Sequence, residues 1–223
     1  MEQRLLGKLQ YVVKAPGKLA EKNPTIIFLH GAGTRGTDLG VLEGNSIFLP
    51  NSCISDADSP FMVFAPLCSR DSWFDVFEQL QEFVEMVAVH PAVDANHIYL
   101  IGNSMGGYGT WQLAMTMPEY FAAIVPICGG GMRWNLKRLI NVPVWAFHGK
   151  NDATVPPVES ILLVEKLNEI GGNARLTLLD DTGHNSWDYA YAQRELFGWL
   201  LQWEKKIKSA DVNNEFADSK RYG

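Results

Sequence analysis

Along this chain, short and nearly unbroken apolar runs alternate with longer stretches in which apolar residues return every three or four positions. The runs at residues 9–14, 25–30, 61–65, 97–102, 123–127, 144–148 and 175–179 predict strands. Several of them lack polar alternation, as strands covered on both faces do. The periodic stretches at 75–89, 105–117, 158–170 and 188–203 predict helices. Pro91 and Pro118 close the first two, and Gly171-Gly172 closes the third where a left-handed cap is favoured. This alternation defines an α/β class: a mainly parallel central sheet with helices on both faces. One domain is expected over residues 1–204, and the polar, aperiodic residues 205–223 are expected to form a flexible C-terminal tail. No repeat or internal linker interrupts the pattern, and no segment is long enough for a large helical lid.

Composition narrows the function classes. With 47% hydrophobic and 11% aromatic residues in 223, the chain can bury a sizeable core as one domain. A net charge of -6, with no basic run beyond Lys205-Lys206, argues against nucleic acid and anionic membrane surfaces as partners. Small, neutral or weakly charged substrates fit better. Cys53, Cys68 and Cys128 are scattered and read as free thiols, without a disulfide or metal role. The first residues lack a signal peptide's apolar core, and no window approaches the length of a membrane span, so the chain reads as soluble and cytoplasmic.

The candidate chemistry lies in the connections. Tyr99-Leu100-Ile101 runs into Gly102-Asn103-Ser104-Met105-Gly106-Gly107, a G-x-S-x-G motif between an expected strand and an expected helix. A serine on so tight a turn exposes its hydroxyl only if its neighbours at the glycine positions are small. Ser104 is therefore the candidate nucleophile, and a hydroxyl at neutral pH needs a positioned base to take its proton. Among His30, His90, His97, His148 and His184, only His184 follows the last expected strand, where the base falls in a site ordered serine, acid, histidine. His90 and His97 flank a helix-to-strand connection, while His30 and His148 each end a strand before a glycine and suit structural support. Asp152, on the loop after the strand at 144–148, is placed to orient the imidazole. Asp180 and Asp181 sit too close to the histidine's own strand to approach from a neighbouring loop. The N–H groups of Met105, after the nucleophile, and Ala32, in His30-Gly31-Ala32-Gly33, are the candidate oxyanion hole.

Two competing chemistries are weaker. Gly31-Ala32-Gly33-Thr34-Arg35-Gly36 spells G-x-G-x-x-G after a strand, the dinucleotide-binding pattern. That reading needs an acidic residue at the end of the next strand to hold a ribose, and the strand ends Phe64-Ala65-Pro66-Leu67. Metal catalysis has no H-E-x-x-H and no paired cysteines to rest on, so no metal and no cofactor are expected.

Together, His30-Gly31-Ala32-Gly33, the Gly102 to Gly107 turn, His148-Gly149-Lys150-Asn151-Asp152-Ala153-Thr154-Val155-Pro156 and Gly183-His184-Asn185-Ser186-Trp187 carry a family likeness. The set resembles the compact bacterial carboxylesterases of the dienelactone hydrolase and prolyl oligopeptidase-like superfamily, and within it the branch labelled predicted peptidase, with its feruloyl-esterase-like members. The resemblance implies an α/β-hydrolase fold, esterase chemistry through an acyl-enzyme and the same three catalytic positions. Where such enzymes carry a small apolar residue before the nucleophile, this chain has Asn103.

Loops after strand C-termini gather on one face of a parallel sheet. Trp73, Trp187 and Met132 all lie on such loops and are the expected pocket walls. An open site with aromatic walls suits a small-molecule ester with a short acyl or aryl group. A serine peptidase of the prolyl oligopeptidase-like type is the alternative, and a dinucleotide-binding protein the remote one.

Overall fold

A computed structural model describes residues 1–205. Among these residues, eight strands form one sheet: β1 Glu2–Leu6, β2 Leu9–Lys14, β3 Asn23–Leu29, β4 Met62–Pro66, β5 Val93–Asn103, β6 Ala123–Ile127, β7 Val144–Gly149 and β8 Ala174–Leu179. Six helices complete the frame: α1 Gly40–Glu43, α2 Phe77–Ala88, α3 Met105–Thr116, α4 Val158–Glu169, α5 Trp187–Ala192 and α6 Arg194–Leu200. The sheet order is β1-β2-β4-β3-β5-β6-β7-β8, parallel from β4 to β8, with β1 and β2 added antiparallel at one edge. The expected tail at 205–223 lies outside the described residues apart from Lys205.

The strands sort their side chains with period two. Ile27 and Leu29 of β3, with Ile98 and Leu100 of β5, face a core shared with Leu80, Phe83 and Val84 of α2, Trp111 of α3 and Leu163 of α4. Ile26, Phe28, Tyr99 and Ile101 face the other layer, against Tyr191, Leu196, Phe197 and Leu200. Each such fully buried aliphatic or aromatic side chain contributes about 1.5–3 kcal/mol, which is why both strand faces read as apolar.

Three features depart from the expected pattern. The first is β1, which is exposed along most of its length and pairs with β2 in register Glu2 to Val13. The second is the helix expected at 188–203, which splits at Gln193, whose φ of -86° and ψ of 106° are extended. The break turns the chain so that Tyr191 and Leu196 enter one core. The third is the β3–β4 connection, which folds into short helical turns at Ala32–Thr34, Gly40–Glu43, Ser46–Phe48 and Cys53–Ser55. Leu42, Ile47 and Ile54 anchor it in the second core layer.

Candidate active site

The turn after β5 holds Ser104 at φ 55° and ψ -119°, a conformation that costs a side-chain-bearing residue about 1–3 kcal/mol. Its neighbours must be glycines for steric reasons. A Cβ on Gly102 would strike the Gly106 carbonyl, and one on Gly106 would strike the Leu29 carbonyl. The strand, turn and helix thus close tightly enough to lift the serine hydroxyl clear at the C-terminal edge of the sheet.

Ser104 Oγ lies 2.8 Å from His184 Nε2, and His184 Nδ1 lies 2.7 Å from Asp152 Oδ2. Three residues from three separate loops are joined in one hydrogen-bonded series. Asp152 Oδ1 accepts from the N–H groups of Thr154 and Val155, each at 2.9 Å. Burial alone would raise the Asp152 pKa, but the bond to His184 and these two N–H donors outweigh it and hold the carboxyl below its ordinary value. The carboxylate is therefore ionised at neutral pH. It requires the Nδ1–H tautomer of His184 and leaves Nε2 free to accept the serine proton.

The other strand-end histidines support this frame. His148 is buried, its Nε2 2.9 Å from the Val155 carbonyl and 3.2 Å from Asp152 Oδ2, so it braces the turn that carries the acid. His30 Nε2 accepts from Cys68 N–H at 3.0 Å, which puts the ring proton on Nδ1, 2.8 Å from the Gly31 carbonyl. Burial pushes the His30 pKa down to about 4, partly opposed by the Gly31 bond and helped by the Arg35 charge. An imidazole neutral when folded and free to protonate near pH 6.5 when unfolded gives a stability that is complete above pH 6.5 and falls as the pH drops toward 4. The expected loss at the acid end is about 3 kcal/mol. Urea unfolding of wild type and His30→Gln at pH 7.5 and 4.5 checks it: the variant should lack this part of the pH slope.

Met105 follows Ser104 directly, and Ala32 lines the same cavity as Ser104. Met105 begins α3, so its N–H has no helical partner, and neither it nor the Ala32 N–H is taken by a loop or side-chain bond among the described residues. Arg35 Nε donates to the Ala32 carbonyl at 2.8 Å and its Nη1 to the Asp71 carbonyl at 2.7 Å, which ties the loop after β3 to the loop after β4.

A cavity of about 490 Å³ opens over Ser104 and His184. Trp187 forms one wall, edge-on to the His184 ring at 5.4 Å. Trp73 does not line it. Its ring is fully buried against Gly109 and His30, and its Nε1 donates to the His30 carbonyl at 3.0 Å, so it is a packing residue beneath the loop and the expected wall role is corrected. Met132 is exposed and likewise lines none of it, so its expected wall role is corrected as well. Val41, Asn45 and Ser46 of the β3–β4 connection line it instead. No periodic signal marks this segment, because anchor residues spaced by single helical turns match neither the strand nor the helix period.

Cys128 Sγ, Asp152 and His184 offer ligand atoms within 4.8 Å of one another. Both nitrogens of His184 are engaged by Asp152 and Ser104, and burial pushes the Cys128 thiol up to about 12. Burial thus disfavours the thiolate form in which a cysteine binds metal.

The sheet order and the exposed serine turn define an α/β-hydrolase. Residues 69–193 match the phospholipase/carboxylesterase family, and the chain belongs to that family. A thermostable esterase superposes with TM-score 0.74 at 33% identity, covering 88% of this chain and 59% of that one. Est1E from Butyrivibrio proteoclasticus shares the fold, with TM-score 0.68 at 14% identity over 90% of this chain and 97% of its own. A bifunctional acetylxylan esterase/xylanase of Neocallimastix patriciarum is 24% identical over 145 residues, 63% of this chain and 21% of that protein. The chain thus spans about a fifth of this curated relative. No helix among the described residues is long and apolar enough to cross a membrane.

Proposed function

We propose that the protein is a serine carboxylesterase acting on short-chain or aryl esters. The observation that carries this reading is the continuous Ser104, His184, Asp152 series, with 2.8 Å and 2.7 Å between its members, at the floor of an open cavity. In this reading Ser104 Oγ attacks the ester carbonyl as its proton passes to His184 Nε2, and the carbonyl oxygen takes up negative charge between the N–H groups of Met105 and Ala32. Collapse expels the alcohol, protonated by His184. Water then gives its proton to the same nitrogen, attacks the acyl-enzyme and releases the acid. Asp152 keeps the imidazole in the productive tautomer throughout. The likeness to a thermostable esterase and to an acetylxylan esterase/xylanase supports ester over amide as the bond cleaved.

Hydrolysis of p-nitrophenyl acetate, butyrate and octanoate, methyl ferulate and a peptide anilide tests the reading. Cleavage falling from acetate to octanoate is the expected result. Cleavage of the anilide alone would replace it with the peptidase alternative.

A further inference from the structure

We propose that the carboxamide of Asn103 is a specificity-determining group that donates a hydrogen bond to an oxygen on the leaving alcohol, close to the ester-bearing carbon. It would select hydroxylated alcohols over purely hydrocarbon ones. The proposal rests on the esterase reading of the Ser104 site.

Asn103 ends β5 immediately before the nucleophile, is only 6% exposed and lines the cavity. Its orientation is fixed by a neighbouring residue of the lining. The hydroxyl of Tyr191, a residue 1% exposed, donates to Asn103 Oδ1 at 3.2 Å, which turns Nδ2 toward the cavity. A Cβ placed on Gly31 would sit 3.0 Å from that Nδ2 and 3.5 Å from the Ser104 Cβ, so the amide lies directly beside the nucleophile and the loop bearing Ala32. Among the described residues, Nδ2 has no hydrogen-bond acceptor, yet it is not among the sealed, unpartnered polar atoms either. A nearly buried donor open only to the cavity is satisfied by whatever fills that cavity.

The rest of the lining fits the same occupant. Thr34, Asn45, Ser46 and Thr154 supply neutral hydroxyl and amide groups, and the Trp187 wall supplies an aromatic surface. Apart from His184 and the buried phenol of Tyr191, no ionisable side chain lines the cavity. Neutral polar groups beside one aromatic wall suit a hydroxylated ring better than a long alkyl chain or an ionic group.

A monoacetylated methyl xyloside and cyclohexyl acetate present rings of similar size through the same acetyl group, and only the first carries oxygens near the ester. The wild type should favour the xyloside acetate in kcat/KM. Asn103→Leu, close in volume but without the donor, should lower that preference by about 5–10-fold, in line with one neutral hydrogen bond. Tyr191→Phe, which removes only the buried hydroxyl that orients the amide, should lower it by a smaller factor. It carries the test alone if Asn103→Leu does not fold. Equal losses on both acetates, or an unchanged preference in both variants, would overturn the proposal and leave Asn103 as a support for the serine turn. A wild type active on both acetates without preference overturns it too, with the esterase reading intact. A wild type no faster than Ser104→Ala on either acetate removes the esterase reading itself.

Discussion

Ser104→Ala should lower kcat for p-nitrophenyl acetate by about 10⁵- to 10⁶-fold, the scale on which serine hydrolases respond to loss of the nucleophile. The size follows from what remains. Without Oγ there is no acyl-enzyme, and His184 Nε2 loses its 2.8 Å partner. The N–H groups of Met105 and Ala32 can still polarise a bound carbonyl, which leaves about 10³-fold over uncatalysed hydrolysis. Stability should move the other way at this position. Alanine keeps the penalty of φ 55°, whereas glycine adopts that conformation freely. Ser104→Gly should therefore be inactive yet more stable than Ser104→Ala by about 1 kcal/mol, after allowance for the added freedom of glycine in the unfolded chain. Single-turnover kinetics and paired denaturation curves check both halves. A residual rate within tenfold of wild type would remove Ser104 from the nucleophile role.

The contrast between Trp73 and Trp187 shows where sequence reading works and where it stops. Both follow expected strands and both are expected pocket walls, because strand order and loop direction are legible from apolar period and motif position. Which way each ring turns is decided by packing. Trp73 finds a carbonyl for its N–H on His30 and a flat seat on Gly109, neither of which is adjacent in sequence. The serine turn was legible for the opposite reason, since its requirements are local: glycines at 102 and 106 and a helix at once. Asp152 and His184 could be ordered from strand positions alone. The wall built by Val41, Asn45 and Ser46 could not, because short turns anchored singly by Leu42, Ile47 and Ile54 leave no repeat to read. Asn103 stood out as an unusual residue in its motif, but its partner Tyr191 lies 88 positions away.

Asp152→Asn should cost about 10⁴-fold in kcat with little change in shape, and the structure says how. In the wild type, Oδ1 is held by two backbone donors, the N–H groups of Thr154 and Val155. An asparagine oxygen would keep those two bonds, because its NH₂ group cannot accept them. The NH₂ must then face His184 Nδ1, where it donates. That forces the imidazole proton onto Nε2, which now points a hydrogen at Ser104 Oγ and cannot receive one. The same NH₂ meets the Nε2–H of His148, which donates to the Val155 carbonyl and in the wild type also lies 3.2 Å from Asp152 Oδ2. Two donors facing each other in a buried site should also lower stability by about 1–3 kcal/mol. Asp180→Asn serves as the comparison: its carboxylate is mostly exposed and pairs with Lys150 at the surface, so its effect on both rate and stability should be small. Activity in the Asp152 variant that stays within tenfold of wild type would assign the orienting role to another carboxylate. A 10⁴-fold loss whose residual rate rises with hydroxide concentration would fix it on Asp152, because hydroxide can take the serine proton that the mis-protonated histidine cannot.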